Sequence, residues 1–264
     1  MSITACGVNV FVRDSGSGQP VLFVHGNPDS ADVWDGVTAE LKAQYRCIAI
    51  DLPGFARSEA PDDFDYSLEG MARFMDAVVS ALALPEPIDL VAHDFGGAFA
   101  MAWAITHPTK VRRIVVINHS AFVKGFKWHW RANIWRTPVL GELAMLITSW
   151  SLFRSSMRAG SRKLTDEQIL AAYQRLSPRW KRTVLRLYRG ATIAEREKWA
   201  PRMIELTSQK PTLVLWGEHD PFIPASTADK FGATKVVRFP DTGHCVPAEI
   251  PERVSAELRG FLAG

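Results

Sequence analysis

Short runs of apolar, mostly β-branched residues recur along the chain and stop abruptly at Gly, Asp, Asn or His. Residues 8–13 alternate in polarity and predict an early edge strand. Residues 21–24, 47–50, 88–92, 113–117, 212–216 and 235–239 are apolar almost throughout. Unbroken apolar runs suit strands buried on both faces of a mostly parallel sheet. Between them lie stretches with helical spacing. Ser67 can cap a helix running to about residue 84, with Met71, Phe74, Met75 and Val78 on one face. Residues 96–107 are small and apolar, and Pro108 ends them. Residues 251–262 predict a closing amphipathic helix with Val254, Leu258 and Phe261 inward. Strand alternating with helix predicts an α/β fold with a doubly wound sheet and right-handed crossovers.

One stretch departs from that rhythm. No strand pattern is visible over residues 119–209, which read as helical, basic and rich in tryptophan (Trp128, Trp130, Trp135, Trp150, Trp180 and Trp199). They are expected to form a helical cap inserted into a core made of residues 1–118 and 210–264.

Composition narrows the class without naming a function. The chain has 264 residues, 47% hydrophobic and 22% charged, enough apolar material for one large core. A net charge of +3 gives little support to nucleic-acid binding. The three cysteines, Cys6, Cys47 and Cys245, have no metal-binding spacing and suit reduced thiols, so a cytoplasmic protein without metal or organic cofactor is expected. No signal peptide and no apolar run of about 20 residues is visible, so no membrane role is expected. The basic cap is read as a solvated face rather than as a site for an anionic partner.

Three titratable residues follow three different strand runs: Asp94, Asp220 and His244. In open α/β sheets, sites form beyond the carboxyl ends of the strands. Asp94 lies in Ala92-His93-Asp94-Phe95-Gly96-Gly97, a sharp strand-to-helix turn with small residues around its apex. An isolated aspartate there would ordinarily cap the helix. Followed by Asp220 and then His244, it reads instead as a nucleophile with an acid-oriented histidine base. His93, His119 and His219 are read as structural histidines.

Four motifs taken together extend this reading: His25-Gly26-Asn27-Pro28, Asp51-Leu52-Pro53-Gly54, His93-Asp94-Phe95-Gly96-Gly97 and Thr242-Gly243-His244. Through them the chain resembles the aspartate-nucleophile branch of the α/β-hydrolase superfamily: epoxide hydrolases, haloalkane dehalogenases and haloacetate dehalogenases. It departs from that pattern at Ala56, where these proteins usually carry glycine.

A carboxylate nucleophile suits displacement at saturated carbon, which leaves an alkyl ester that activated water then hydrolyses. The Asn27 and Phe95 amides are expected to form the oxyanion hole. Haloacetate dehalogenases carry arginine at the positions of Phe95 and Ala98, which weighs against that branch. Haloalkane dehalogenases usually have tryptophan where Phe95 stands, although Asn27 and the stretch from Trp135 to Leu143 resemble theirs. Epoxide hydrolases carry a Tyr-Arg pair late in the cap, matched by Tyr188-Arg189, and a second cap Tyr or His, for which His129 and Tyr173 are candidates. The resemblance therefore implies epoxide opening first and haloalkane dehalogenation second, on a small apolar or moderately polar substrate. A non-catalytic receptor on the same fold is the reading from outside enzymology.

Overall fold

The computed structural model describes residues 1–264 except Ala121, Arg162 and Ala191. Eight strands form one sheet in the order β1-β2-β4-β3-β5-β6-β7-β8. They are β1 (Ser2–Ala5), β2 (Val8–Ser15), β3 (Pro20–Val24), β4 (Arg46–Ile50), β5 (Ile88–His93), β6 (Val111–Ile117), β7 (Thr212–Gly217) and β8 (Lys235–Phe239). The first two pairings, β1 with β2 and β2 with β4, are antiparallel, and every later pairing is parallel. The α/β class and the mostly parallel doubly wound sheet are those expected. Residues 8–13 do not form the edge. They lie in β2, covered by β1, a four-residue strand too short and too polar for its pattern to stand out.

The apolar runs are buried because helices cover both faces of the sheet, except residues 235–239, which form the edge strand β8 and, with Lys235 and Arg238 among them, leave only Phe239 buried. On one face, α1 (Asp35–Leu41) packs with α11 (Pro251–Ala263), and Trp34, Val37, Val254 and Leu258 meet Val21, Phe23 and Leu215. On the other, α2 (Leu68–Ala81) and α3 (Phe95–Thr106) pack over Leu22, Val24, Leu90 and Val116. Ser67 caps α2, its hydroxyl accepting from the Gly70 amide at 3.1 Å. Helix α3 is buried around its whole girth, which explains its uniformly apolar sequence.

Strand order sets the site. The chain runs outward from β3 to β4, then crosses back to place β5 on the opposite side of β3. Connections that leave neighbouring strands in opposite directions open a crevice between them. The loop after β3 and the turn after β5 therefore face one another at the sheet's carboxyl edge.

Among the described residues, six helices separate β6 from β7: α4 (Trp130–Arg136), α5 (Leu140–Ile147), α6 (Trp150–Gly160), α7 (Asp166–Gln174), α8 (Trp180–Arg189) and α9 (Ile193–Gln209). Polar bonds anchor them to the loops of the core. Ser177 donates to the Gly54 carbonyl at 2.8 Å, and Arg186 donates to that of Phe64 at 2.6 Å. Helix α5 leaves Leu143, Leu146 and Ile147 exposed. A short α10 (Val246–Glu249) follows the last strand's loop. No described helix is long and apolar enough to cross a membrane.

Ala56 holds φ = 43° in the loop between Asp51 and Ser58. The chain thus keeps the left-handed backbone that glycine would adopt freely, at a steric cost to alanine. Ala56→Gly should stabilise the protein by about 0.5–1 kcal/mol once the extra freedom of the unfolded glycine is set against the relieved strain. Thermal unfolding checks this, with the midpoint expected to rise about 2–4 °C. A midpoint that falls would show that other contacts of Ala56 outweigh the strain.

Candidate active site

Asp94 stands between β5 and α3 with φ = 46° and ψ = −125°, a region costly for a residue with a side chain. Its side chain makes no capping bond to the helix. What fixes the turn lies around it. The Asp94 carbonyl accepts from the Gly97 amide at 3.0 Å and from His119 Nδ1 at 2.6 Å. A Cβ on Gly97 would lie 2.3 Å from the His119 ring, and one on Gly26 would lie 2.4 Å from Asp94 Cβ. Both glycines are needed for close approach.

The turn points the carboxylate at the loop after β3. The Asn27 amide donates to Asp94 Oδ2 at 2.9 Å, and the Phe95 amide also bonds this carboxylate. Burial pushes the Asp94 carboxyl up from its ordinary pKa, against the pull of His244 and these two amides. The histidine of that loop has a supporting part: His25 donates from Nδ1 to the Gly26 carbonyl at 2.7 Å and accepts the Leu52 amide at Nε2, 2.9 Å away.

The structure brings the other two members of the predicted set to the same place. His244 Nδ1 donates to Asp220 Oδ2 at 2.7 Å, and His244 Nε2 lies 3.9 Å from Asp94 Oδ1. Burial disfavours a charge on His244, but Asp220, Asp94 and Asp29 together override it and raise its pKa to about 9. Asp220 is held on every side. Its Oδ1 accepts the Phe222 and Ile223 amides at 2.7 and 3.0 Å, and its Oδ2 also accepts Asn118 Nδ2 at 2.8 Å. Burial alone would raise the Asp220 pKa; the His244 charge and these donors bring it below the ordinary value.

The sequence reading missed one supporting residue and the partner of another. Asn118, at the end of β6, also accepts the Gly217 amide at 2.9 Å and so joins β7 to the acid it carries. His119 is the structural histidine it was read as, and the bond that the reading did not supply is the one to the Asp94 carbonyl. Their signal was present as polar residues closing an apolar strand run. His93 also supports the site, donating from Nε2 to the His244 carbonyl at 2.9 Å, whereas His219 is exposed.

Above Asp94 the cap encloses a cavity of about 360 Å³, with Tyr188, His129, Trp128 and Arg196 on its wall. Tyr188 packs edge-on against Phe95 with ring centroids 4.7 Å apart, and it lines the cavity together with Asn27. Burial, and then the nearby Asp94 charge, push its pKa well above the ordinary phenol value, so it keeps its proton. His129 accepts the Ala132 amide at Nδ1, 3.2 Å away, which leaves the proton of the neutral ring on Nε2. Burial lowers its pKa to about 4. Tyr173 is not brought to the site. It packs against Trp150 and Phe153 of α6, and Phe153 rather than Tyr173 lines the cavity.

Arg196 is the feature that sequence reading did not single out. It is 4% exposed, and its Nε and Nη2 have no hydrogen-bond partner among the described residues. Its guanidinium lies over the rings of Trp128 and Phe95, 4.8 and 5.6 Å from their centroids. Such contacts contribute about 2 kcal/mol when desolvated, less than the several kcal/mol that burying an ion costs. Burial lowers its pKa to about 10, so it remains a cation at neutral pH.

A family profile for the α/β hydrolase fold matches residues 19–249. The chain belongs to this family, and its catalytic character is that of a hydrolase. It is 26% identical to the cis-3-alkyl-4-alkyloxetan-2-one decarboxylase of Xanthomonas campestris pv. campestris, covering 97% of this chain and 93% of that one. It is also 26% identical to haloalkane dehalogenase 2 of Mycobacterium tuberculosis, over 93% of this chain and 88% of the relative. The epoxide hydrolase CorEH superposes with a TM-score of 0.85 at 22% identity, covering 100% of this chain and 98% of CorEH, a likeness of fold. The expected resemblance to this part of the family is thereby established.

The shared field of Asp94 and His244 can be tested directly. In Asp94→Asn one of the three carboxylates that raise the imidazole pKa loses its charge, so the His244 pKa should fall below about 9, toward the ordinary value. Titration of the histidine ring resonances by NMR reads this. An unchanged value would assign the whole effect to Asp220 and Asp29.

Proposed function

We propose that this hydrolase forms an alkyl ester on Asp94 and that its substrate is an epoxide, which leaves as a diol. The observation that carries this reading is that Tyr188 lines the same cavity as Asp94, its ring packed against that of Phe95, where a proton donor to the opening ring is needed. One Asp94 oxygen bonds the epoxide carbon as the carbon–oxygen bond of the ring breaks. The leaving alkoxide, a strong base, takes the Tyr188 proton, with His129 Nε2–H as a second donor.

Esterification removes the negative charge of Asp94, and with it part of what holds the proton on His244. That proton passes to the Tyr188 phenolate and leaves a neutral imidazole. His244, oriented by Asp220, then takes a proton from water as the oxygen adds to the ester carbonyl. The Asn27 and Phe95 amides stabilise the oxyanion. Collapse expels the diol oxygen, which takes the proton from the acid form of Asp94. One water is added, and every group returns to its starting state.

One observation favours dehalogenation as a second reading. Trp128 Nε1 is buried without a partner and lines the cavity, the kind of N–H donor that a departing halide needs. A haloalkane dehalogenase is also among the relatives. Purified enzyme incubated separately with styrene oxide and 1,2-dibromoethane distinguishes the two, by diol chromatography and a bromide electrode. Diol with little bromide is expected, and Tyr188→Phe should lower kcat for diol formation by roughly 10²- to 10⁴-fold. Rapid bromide release without diol reverses the assignment.

The ester itself can be trapped, whichever group leaves. His244→Gln should still be alkylated by substrate and then fail to hydrolyse. Intact-protein mass spectrometry should find the added mass, and peptide mapping should place it on the segment containing Asp94. Asp94→Ala should gain none. An unmodified His244→Gln protein after long incubation with a substrate that the wild type turns over would refute the covalent mechanism. Ligand binding with no turnover and no adduct would favour the receptor reading.

A further inference from the structure

The substrate implied so far is neutral, and the cavity is not. Arg196, on α9, lines the same cavity as Asp94 with a buried guanidinium. Among the described residues, neither its Nε nor its Nη2, both covered, has a carboxylate or any other hydrogen-bond partner. The charged groups that act on it are Arg136, Asp94 and Glu195, with the Tyr188 phenol beside them. Arg136 repels it, and Glu195 is exposed and bonded to the Thr192 amide at 2.6 Å. A charge taken out of water is ordinarily compensated, and here the compensation is missing inside the pocket that receives substrate.

The position of the charge is informative. Phe95 adjoins the nucleophile in sequence, and Arg196 lies over its ring. Cation and nucleophile thus flank one aromatic surface. The planar fork of a guanidinium matches the two oxygens of a carboxylate, and a side chain that swings toward the cavity would give its two unpartnered N–H groups such a partner. The positions of Phe95 and Ala98, which argued against an acidic substrate, indeed carry no cation; the cap supplies one from elsewhere in the chain.

We propose that the substrate carries a carboxylate, bound by Arg196, on an apolar body that presents its electrophilic carbon to Asp94. The proposal deepens the alkyl-ester reading and rests on it only for what happens after binding. Arg196 anchors the anion while Asp94 forms the bond to carbon, so the reaction steps are unchanged. The guanidinium also offsets the repulsion between the substrate's carboxylate and that of Asp94.

Binding can be measured without chemistry, because the cavity wall is rich in tryptophan. Phenylacetate and the neutral phenylacetamide are titrated against wild-type protein by intrinsic fluorescence at pH 7. Phenylacetate should bind at least about tenfold more tightly, as expected of a charge-assisted pair. Arg196→Gln should abolish that ratio, and Arg196→Lys, cationic but without the fork, should keep part of it. If Arg196→Gln does not fold, a ratio left intact in Arg196→Lys, or a ratio near one in the wild type, is enough to overturn the proposal. A preference that survives in folded Arg196→Gln overturns it too.

A second measurement keeps the two readings apart. In the His244→Gln background, 3-phenylglycidate should alkylate Asp94 faster than styrene oxide, and adding Arg196→Gln should remove the advantage. Styrene oxide adducts without any carboxylate preference sink the role of Arg196 and leave the ester mechanism standing. Carboxylate binding that depends on Arg196, with no adduct from either epoxide, supports the anion site and sinks the ester mechanism.

Discussion

A single strained backbone turn organises the molecule around Asp94. At φ = 46° and ψ = −125° the residue occupies a conformation that the isolated chain avoids, and the surrounding packing must hold it there. Buried strands on either side, the absence of side chains at Gly26 and Gly97, and the His119 bond to its carbonyl all contribute. The return is directional. The carboxylate leaves the backbone toward the amides of Asn27 and Phe95 instead of folding back to cap its own helix. The crevice formed where the chain reverses its winding then determines which loops can reach it.

Charge placement is the second organising constraint. One imidazole answers to three carboxylates, and burial works against all four groups. The outcome differs between the acids because their hydrogen bonds differ. Asp220 accepts bonds on both oxygens from groups fixed in β6 and in its own loop, so its charge is well supported. Asp94 has two amides and an upward-shifted pKa, and Asp29 is pushed up to about 7 by burial. A single sheet edge thus holds one acid whose charge is firmly supported and one whose charge burial opposes.

Much of this was legible in the sequence, for reasons that particular residues make plain. The strands read clearly because a sheet covered on both faces needs unbroken apolar runs, and Asp94, Asp220 and His244 stand just beyond three of them. The edge strand β1 did not read, because four half-exposed residues leave too short a pattern. His129 and Tyr173 could not be separated as the second cap donor, since which face of a cap helix meets the cavity depends on packing between helices distant in sequence. Arg196 lay within an acidic and basic stretch, Glu195 to Lys198, that reads as a solvated helix face. Its burial follows from the stacking of Phe95 and Trp128 beneath it, a tertiary fact. Asn118 and His119 were visible as polar residues at a strand end, but their partners lie on β7 and β5.

The loop that carries the base is tied to the cap as well as to the sheet. The His244 amide donates to the Gly160 carbonyl at 2.6 Å, at the very end of α6, and a Cβ on Gly243 would lie 2.2 Å from that same oxygen. The inserted helices are therefore part of the frame on which the base is mounted, and they cannot be regarded as a removable roof. A cap that diverges in sequence to enclose a new molecule must still bring the Gly160 carbonyl, at the end of its third helix, back to the His244 amide. Exchange of caps between related chains is therefore constrained at Gly160, where an altered backbone displaces His244 together with the cavity wall they share.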